Sequence, residues 1–510
     1  MFKKSVEYAA PVVSDILFTH SYFLSLDPKE QRAMMPYAPL GTLYALARVR
    51  ARGYGVALFD SMMAAGPDCI ASSLDRHRPN VVVIYDDDFN YLTKMCLTRM
   101  REAAFTLTRL AKERGCTVIV HGSDPADHAG VYADHGADYM IAGEGETTLV
   151  ELLDHLHQAT GSRSVDSIDG LVYPLGGALV RNPKRKVLHD LDALPFPARD
   201  LLDVERYRAV WKKKHGYFSV NIVTTRGCPF HCNWCAKPIY GQVYHSRSPE
   251  GVCEEMVMLK KDLRPDHLWF CDDIFGLEPG WIEGFAGEVL RRDARIPFKC
   301  LSRADLLLTE DTIRHLKRAG CQTVWMGAES GSQRILDAME KGTRVEQIYN
   351  STRLLRESGI RVGHFLQYGY PGERRSDIEL TLRMVKECRP DEIGISVSYP
   401  LPGTTFFENV KSRLGDKQNW SDSEDLDPMY QAEYSPEFYR ALHRLTHKKF
   451  RLWQGLQLLK RPFAPASVPG GGRSGRRTVR RLASAAYHAL TLPGLEAELD
   501  VLEHQTVSER

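Results

Sequence analysis

Three cysteines fall in a Cys-x3-Cys-x2-Cys pattern, at Cys228, Cys232 and Cys235. A β-branched run over 220–225 stands directly before them and predicts a buried strand, so the cysteines would lie in the loop at its end. Cysteine thiolates are the usual ligands of iron–sulfur clusters, and a [4Fe–4S] cube takes four of them. Three protein ligands would leave one iron open to a ligand that is not protein.

A structural zinc site is the alternative for these cysteines. It would require a fourth Cys or His at short spacing and closed tetrahedral geometry. His231 lies within the loop, but its neighbours Phe230 and Cys232 leave it poorly placed to complete a tetrahedron. The pattern therefore favours an iron–sulfur cluster over zinc, and over a chance run of core cysteines.

The loop over 224–235 reads Thr-Thr-Arg-Gly-Cys-Pro-Phe-His-Cys-Asn-Trp-Cys. It resembles the signature of the radical S-adenosylmethionine (SAM) superfamily, including the aromatic Trp234 just before the last cysteine. The resemblance implies a [4Fe–4S] cluster on Cys228, Cys232 and Cys235, with Trp234 among the cofactor-binding residues. It also implies that the open iron chelates SAM and that the reduced cluster cleaves SAM to a 5′-deoxyadenosyl radical. The cofactors would carry the hard chemistry, and the protein would supply orientation and the exclusion of water.

Length and composition bound the class of protein. A chain of 510 residues is too long for one compact core and should form two or three domains. Its hydrophobic fraction of 43% and charged fraction of 26% are ordinary for a soluble protein, and its net charge of +2 gives no push toward nucleic acid. Eleven cysteines without a paired framework suit a reducing cytoplasm. We find no signal peptide at the start and no apolar run of membrane-spanning length, so we expect a cytoplasmic protein.

Residues 1–158 are predicted to form a Rossmann-like domain. Short β-rich runs alternate here with amphipathic stretches, which is typical of a parallel sheet covered by helices on both faces. The predicted strands are 15–19, 55–59, 80–85, 117–121 and 139–142, and the predicted helices are 40–52, 91–114 and 126–135. Ligands of such sheets bind beyond the carboxyl ends of the strands. Polar and glycine-rich turns stand at those ends, over 86–88, 121–125 and 143–146.

The order of these elements resembles the cobalamin-binding domain that precedes many radical SAM domains. The resemblance implies that Gly122 and Ser123 flank the nucleotide tail of cobalamin. It also implies that the next turn lines the same slot with Gly143, Glu144, Gly145 and Glu146. The family's usual cobalt ligand, a His in Asp-x-His-x-x-Gly, is absent, and a Rossmann-like domain without ligand is the alternative. Three consecutive carboxylates at 86–88 cannot all face one ion, so a solvated, helix-capping turn is predicted there.

The rest of the chain is predicted to hold a connector, a barrel and a helical region. The connector covers 159–212, with a small hairpin around Gly176 and Gly177 and an extended strap over 194–200. The barrel covers 213–405, with strands at 219–225, 268–271, 298–301, 323–326, 363–366 and 394–398. Six βα units make a partial (β/α)6 barrel, with its chemistry at the carboxyl ends of the strands. Its lateral opening would suit a bulky substrate.

Polar residues at the ends of two barrel strands are candidate ligands of SAM. Related proteins often hold the SAM amino group after the second strand, where this chain offers the carboxylate of Asp272. A helix N-cap is the alternative, most of all for Asp273. Arg303, after the third strand, is placed to reach SAM, and a surface ion pair with Asp305 is its alternative.

The segment after the fourth strand closely resembles the family's site for ribose and carboxylate. The resemblance implies that Glu329 accepts hydrogen bonds from the ribose hydroxyls and that Lys341 pairs with the methionyl carboxylate. A lysine at a helix end that only complements the helix dipole is the alternative for Lys341. After the fifth strand, Gly369 would let the backbone approach the adenine.

Residues 406–510 are predicted to be helical, with an amphipathic helix over 436–459 and a flexible linker over 462–475. Ten Lys and Arg and no Asp or Glu stand between Lys448 and Arg481. Such a tract would suit peripheral contact with anionic lipid or a phosphorylated substrate, although a solvated tail is the favoured interpretation.

The resemblance, which spans about 14–405, implies a cobalamin-dependent radical SAM enzyme. That class includes methyltransferases of unactivated carbon and the anaerobic magnesium-protoporphyrin monomethyl ester cyclase. We expect methylation of a small molecule, natural product or lipid through the 5′-deoxyadenosyl radical and methylcobalamin, with electrons from an external flavodoxin- or ferredoxin-type donor. No residue can be nominated as a catalytic acid or base. The alternatives are a radical SAM cyclase, oxidase or rearrangement enzyme, and a non-catalytic iron–sulfur protein.

Overall fold

The structure is a computed structural model that describes residues 15–95, 97–460 and 475–508. The chain divides into two compact units. The first holds the described residues up to Val210, with Pro238–Gly241 and Ser421–Glu424. The second holds Trp211–Lys237, Gln242–Trp420 and the described residues from Asp425 onward.

The first unit is built on one sheet. Its strands are β1 (Ile16–Thr19), β2 (Val56–Leu58), β3 (Val81–Tyr85), β4 (Thr117–His121), β5 (Tyr139–Ile141), β6 (Leu171–Leu175) and β7 (Ala178–Arg181). They lie in the order β2-β1-β3-β4-β5-β6-β7. The first five strands are parallel, and β6 and β7 add an antiparallel hairpin at the edge beside β5. The parallel order 2-1-3-4-5 is that of flavodoxin-like doubly wound sheets, whose ligands bind beyond the carboxyl ends of the strands.

Helices cover this sheet as predicted. They are α1 (Pro28–Ala33), α2 (Leu40–Ala51), α3 (Ala71–His77), α4 (Tyr91–Lys94), α5 (Thr98–Lys112), α6 (Ser123–Asp127), α7 (Ala129–Asp134) and α8 (Glu146–Leu156). Alternate residues of β3 pack into two separate apolar clusters. Val82 and Ile84 belong to one cluster, and Val81 and Val83 belong to the other. A strand that is apolar on both faces reads as a continuous hydrophobic run, which is why these strands could be predicted within one residue of their observed ends. The predicted helix at 91–114 is in fact two helices, as is the one at 126–135.

The hairpin predicted around Gly176 and Gly177 is β6 and β7. It belongs to the sheet of the first unit, so part of the segment predicted as a connector contributes strands. α9 (Val204–His215) follows and ends within the second unit.

The second unit is built on a curled parallel sheet, a half-barrel. Its strands are β8 (Ser219–Ile222), β11 (His267–Phe270), β12 (Phe298–Ser302), β13 (Cys321–Glu329), β14 (Arg361–Tyr368) and β15 (Glu392–Val397), with a separate antiparallel pair of β9 (Thr225–Arg226) and β10 (His245–Ser246). The six parallel strands lie side by side in chain order. The six strands predicted for the barrel are therefore confirmed.

Helices alternate with these strands and then close the chain. They are α10 (Pro249–Asp262), α11 (Trp281–Arg291), α12 (Glu310–Ala319), α13 (Gln333–Ala338), α14 (Val345–Glu357), α15 (Arg375–Cys388), α16 (Thr405–Val410), α17 (Pro436–Lys460) and α18 (Gly475–Ser508). None of the helices within the described ranges is both long and apolar enough to span a membrane.

The predicted linker at 462–475 falls almost entirely outside the described residues, as do the side chains of the predicted basic tract from 460 onward. Within the described part of that tract, Nζ of Lys448 donates to the hydroxyl of Thr491 at 3.0 Å, and Lys449 pairs with Glu496 at 2.8 Å. Both lysines therefore contact α18, and the lipid contact stays a prediction.

Candidate functional site

The cysteine loop lies between β9 and β10 in the second unit. Cys228, Cys232 and Cys235 are free and of intermediate exposure. Burial raises the pKa of Cys228, and it raises the pKa of Cys235 to about 12. The charge of another loop cysteine adds to both shifts, so the three thiols lie near one another. The thiolate is the form that binds a metal, so each of these thiols would have to give up its proton when a metal binds.

The spacing of the thiols bears on which metal the loop would take. Within the described ranges, no three His, Cys, Asp or Glu side chains stand close enough together to coordinate one metal ion. A tetrahedral zinc with bonds of about 2.3 Å would require sulfur atoms roughly 3.8 Å apart. A cluster with several irons takes thiolates that stand farther apart.

Asn233 fastens the loop to the rest of the half-barrel through all four of its polar groups. Its backbone N–H donates to the carbonyl of Met339 at 3.1 Å, and Nδ2 donates to the carbonyl of Ala338 at 2.8 Å. Its backbone carbonyl accepts from the N–H of Phe406 at 2.9 Å. Its Oδ1 accepts from the hydroxyl of Tyr370 at 2.9 Å, a hydroxyl that also lies 2.8 Å from the carbonyl of Ala338. One residue thereby ties the loop to the end of α13, the first turn of α16 and the segment after β14.

Glu329 and Lys341 form a buried ion pair at the carboxyl end of β13. Oε1 of Glu329 lies 2.8 Å from Nζ of Lys341, and the two residues are only 5% and 7% exposed. Burial alone would lower the pKa of Lys341, but the charges of Glu329 and Cys232 offset it, so this pKa is raised. Both charged groups lie over Gly327, where any β carbon would overlap them. The lysine is therefore a buried charge that needs a partner, and not a solvated residue that only complements a helix dipole.

The backbone is strained where this pair begins. The pairing of β13 with β14 is irregular between Gly327 and Glu329, and Glu329 has a left-handed φ of 54°. A non-glycine residue held in such a conformation costs about 1–3 kcal/mol, and such residues cluster at functional sites. The residue in this conformation is the one whose carboxylate pairs with Lys341.

Two buried polar atoms at this end of the half-barrel lack protein partners. Nε1 of Trp234 and Oε1 of Gln367 have no hydrogen-bond partner among the described residues. The ring of Trp234 also lies 5.8 Å from Nζ of Lys341. Buried polar groups are nearly always paired, so an orphaned donor and an orphaned acceptor here fit a polar ligand such as SAM.

Arg303 joins the loop to the ion pair. Its guanidinium lies 3.6 Å from the ring centroid of Phe230, and its Nη1 lies 3.9 Å from Sγ of Cys232. It also pairs with Asp305 at 3.0 Å and donates to the carbonyl of Lys341 at 2.9 Å. The ion pair considered as its alternative role is therefore present, in a side chain that also contacts the cysteine loop. The contact with SAM stays a prediction.

Asp272 is held by the turn that precedes the cysteine loop. Its carboxylate accepts four hydrogen bonds of 2.7–3.1 Å from the backbone N–H and hydroxyl groups of Thr224 and Thr225. It is buried, and burial raises its pKa to about 6. Both oxygens thus fix the turn that leads into the cysteine loop, and the contact of Asp272 with the amino group of SAM stays a prediction.

Asp273, its neighbour, is exposed. Its charge contributes to the raised pKa of both Cys228 and Cys235, so its carboxylate stands near the loop. The alternative of a helix N-cap is not what the structure shows, because α11 begins later, at Trp281, with Gly280 in the capping position.

Gly369 packs against protein where it was predicted to approach adenine. Its N–H donates to Oε2 of Glu373 at 2.6 Å, and its carbonyl accepts from the hydroxyl of Tyr430. A β carbon here would stand 3.1 Å from both Tyr439 and Val397. A close approach that requires glycine is therefore present within the protein, and the contact with adenine stays a prediction.

The first unit brings its two predicted ligand turns together. Gly122 and Ser123 follow β4, the segment 143–146 follows β5, and these strands are neighbours in the sheet. His121 joins the turns, since its Nε2 lies 2.9 Å from the carbonyl of Gly143. A β carbon at Gly145 would overlap that histidine ring, and Ser123, Glu144 and Glu146 are all buried. The two turns therefore form one compact polar edge at the carboxyl ends of the strands.

The three carboxylates at 86–88 are 3–6% exposed, so the prediction of a solvated turn is wrong. The predicted capping role is confirmed, because Oδ1 of Asp87 accepts from the N–H of Gly41 in the first turn of α2 at 2.9 Å. Asp86 accepts from the N–H of Ser21 at 2.8 Å, and burial raises its pKa to about 6. The turn is buried because it caps α2 and also binds the end of β1.

Sequence reasoning missed Asn233, Phe230 and Gly327. Asn233 and Phe230 lie inside the cysteine motif, whose pattern is defined by the metal ligands and the tryptophan. An Asn in such a loop carries donors and acceptors that need partners once buried, which is the signal that was available. Gly327 had no signal, because its role depends on where two side chains from distant positions meet.

Comparisons with known proteins bear on both units. Residues 222–385 match the family model described as the Radical SAM superfamily. An uncharacterised methyltransferase of Pyrococcus horikoshii is 27% identical over 403 residues, which cover 78% of this chain and 83% of that protein.

Two solved structures share the fold. The cobalamin-dependent SAM radical enzyme OxsB, with aqua-cobalamin bound, superposes with a TM-score of 0.67 at 16% identity, covering 98% of this chain and 84% of that one. The radical SAM methyltransferase TsrM from Kitasatospora setae, with cobalamin and a [4Fe–4S] cluster bound, superposes with a TM-score of 0.63 at 19% identity, covering 79% of this chain and 76% of that one.

Proposed function

We propose that this chain, whose residues 222–385 match the Radical SAM superfamily model, is a cobalamin-dependent radical SAM methyltransferase that acts on an unactivated carbon of a small molecule. One observation carries the proposal. The same chain holds a half-barrel with a three-cysteine loop beside a buried Glu–Lys pair, and a unit of flavodoxin-like strand order with polar turns at the carboxyl ends. The fold likeness to two cobalamin-bound enzymes and the sequence likeness to a methyltransferase support it.

In the second unit, Cys228, Cys232 and Cys235 would hold the [4Fe–4S] cluster. When bound and reduced, the cluster supplies the electron that breaks the C5′–S bond of SAM. Asn233 would hold the loop at a fixed distance from the rest of the site. The burial of Glu329 and Lys341 would help to keep water from the radical.

The Glu329–Lys341 pair would bind SAM. An ammonium has three N–H donors, and the structure shows one of those of Lys341 directed at Glu329, so the others can serve a carboxylate. The carboxylate of Glu329 can accept from ribose hydroxyls in a charge-assisted bond. Trp234 and Gln367 would add a donor and an acceptor.

In the first unit, the polar edge formed by Gly122, Ser123 and the segment 143–146 would hold cobalamin. Cobalamin, when bound, would supply a methyl group that a carbon radical can take. Because the first unit has no Asp-x-His-x-x-Gly sequence, its residues would bind the corrin periphery and nucleotide tail.

The reaction balances with two molecules of SAM and two electrons from an external donor for each methylation. One SAM yields methionine and 5′-deoxyadenosine, which carries the hydrogen atom removed from the substrate. The other gives its methyl group and leaves as S-adenosylhomocysteine.

The proposal is tested by reconstituting the enzyme anaerobically with iron, sulfide and hydroxocobalamin and supplying reductant and SAM with a deuterated methyl group. We expect about one cobalamin per chain, and release of both 5′-deoxyadenosine and S-adenosylhomocysteine. Formation of 5′-deoxyadenosine without retained cobalamin or S-adenosylhomocysteine would contradict it and favour cyclisation, oxidation or rearrangement.

The first unit is tested in the same assay with Ser123→Phe, which places a ring in the proposed slot. We expect this variant to lose cobalamin while it keeps its iron and sulfide. Ser72→Phe, at an exposed position on α3, is the matched control and should retain cobalamin.

A further inference from the structure

The concave face of the half-barrel is unusually empty next to the Glu329–Lys341 pair. Met326 contacts Ser351 of α14 and His364 contacts Thr352 of α14, so these residues face the helices. The alternating positions on β13 and β14 therefore face the concave side. In a closed barrel such inward positions are filled in layers by bulky branched side chains.

Two layers of this face are depleted by glycine. Gly327 of β13 pairs with Phe365 of β14, which pairs with Gly394 of β15, so one layer contains a single side chain across three strands. In the layer below, Trp325 pairs with Gly363. The glycines remove the side chains that would otherwise close the face.

The side chains that remain in these layers on β13 and β14 are aromatic and close together. The rings of Trp325 and Phe365 lie 4.7 Å apart between centroids, at an angle of 30°. A β carbon at Gly363 would overlap the ring of Trp325, and one at Gly394 would stand 3.1 Å from Phe365. Phe365 is nevertheless 39% exposed. The glycines thus give the two rings room to lie against the sheet, and the side chain of Phe365 stays partly exposed.

This aromatic surface adjoins the proposed SAM site. Gly327 lies beneath the charged groups of Glu329 and Lys341, and the same residue pairs with Phe365. A molecule that contacts Phe365 would therefore lie next to the place where the radical is generated.

We propose that Phe365 and Trp325 form the substrate platform and that the substrate is a planar, conjugated ring system that stacks on it. The inference rests on the proposed function, since it places the substrate beside SAM. Offset stacking favours a flat π-system over a saturated ring of the same size, which cannot bring its atoms into uniform contact. An aliphatic chain would be expected to meet branched aliphatic side chains, and this layer offers only an aromatic ring and glycine.

The probes that test this are 2-naphthoate and its saturated counterpart decahydro-2-naphthoate, which share a charge and a carbon skeleton. Binding is measured by equilibrium dialysis against the reconstituted enzyme with SAM. We expect the planar probe to bind about tenfold more tightly to the natural protein. Phe365→Leu should abolish this preference, and Phe365→Tyr, which keeps the ring, should retain it.

Leu380→Ala, at an exposed apolar position on α15, is the control and should behave like the natural protein. Iron content reports whether each variant has folded. Equal binding of the two probes, no binding of the planar probe, or an intact preference in Phe365→Leu would each overturn the inference. Formation of 5′-deoxyadenosine and S-adenosylhomocysteine, measured without probe, reports on the proposed function separately.

Discussion

At the scale of single residues, the Glu329–Lys341 pair carries most of the argument for SAM binding. Both charges are buried, the backbone at Glu329 is strained, and Gly327 leaves the room that the pair occupies. Replacing a buried ion pair by apolar residues is often neutral for stability, so an ion pair kept at a strained position indicates a role in binding.

Glu329→Gln is expected to weaken SAM binding by at least about tenfold, which is 1.4 kcal/mol, because it removes a charge-assisted acceptor. Loss of one partner also leaves the lysine uncompensated, so the single variant should be less stable. The double variant Glu329→Gln with Lys341→Met removes that penalty and should recover stability without recovering SAM affinity. SAM affinity is measured by equilibrium dialysis on cluster-loaded protein, and unchanged affinity in both variants would remove this assignment.

Glu373 predicts a pH dependence of stability. Burial raises its pKa from the ordinary 4.5 to about 8, and its Oε1 has no hydrogen-bond partner among the described residues. Between about pH 4.5 and pH 8, Glu373 keeps its proton in the folded chain and has lost it in the unfolded chain. The contribution of Glu373 to stability is therefore greatest below about pH 4.5, falls as pH rises, and is lost above about pH 8.

Glu373→Gln cannot titrate and should become more stable than the natural protein as pH rises from 5 to 8.5. The gain should reach at least about 1.4 kcal/mol, the worth of one pKa unit. Urea unfolding at each pH measures it, with the exposed Glu408→Gln as the control. Parallel pH profiles for Glu373→Gln and the natural protein would contradict the assignment.

At the scale of elements, the cysteine loop is held by its contacts with α13, α16 and the segment after β14, all made through Asn233. α13 leads directly to Lys341, so the loop and the SAM pair share one anchor. Asn233→Asp keeps the shape but turns a donor toward Ala338 into an acceptor, and repulsion there should loosen the loop.

For Asn233→Asp we expect near-normal iron content but a rate of SAM cleavage reduced about tenfold, or 1.4 kcal/mol in barrier. The electron paramagnetic resonance signal of the reduced cluster should respond less to added SAM. Tyr370→Phe removes only one hydroxyl and should cost about 1 kcal/mol of stability with a smaller effect on rate. An Asn233→Asp enzyme with a natural signal and rate would show that the anchor is dispensable.

Sequence patterns predicted the elements well and the partners of single side chains poorly. Strands of the first sheet could be located because β-branched runs buried on both faces, such as Val81–Tyr85, are distinctive. Asp272 and Gly369 are predicted to bind SAM because of where they follow strands, and these roles stay predictions. The structure adds protein partners that no pattern indicates. They are Thr224 and Thr225 for Asp272, and Tyr430 for Gly369. Those partners come from separate segments, and no local pattern records which segments meet.

At the scale of the whole molecule, two units of different architecture share one chain. The first has the strand order of a doubly wound sheet with polar turns at the strand ends. The second has a half-barrel with a three-cysteine loop, and it contains the residues that match the Radical SAM superfamily model. That division could be predicted because each unit has its own repeating βα pattern. The hairpin of β6 and β7 could not be assigned to the first sheet, since an antiparallel edge strand carries no signal of its neighbour.

The central claim is that the three-cysteine loop holds a cluster that cleaves SAM. The most direct test compares the reconstituted, reduced enzyme with Cys232→Ala and measures 5′-deoxyadenosine together with bound iron and sulfide. We predict that the natural protein forms 5′-deoxyadenosine and that Cys232→Ala loses the cluster and this activity together. A Cys232→Ala enzyme that keeps its full iron and sulfide and still cleaves SAM would contradict the account.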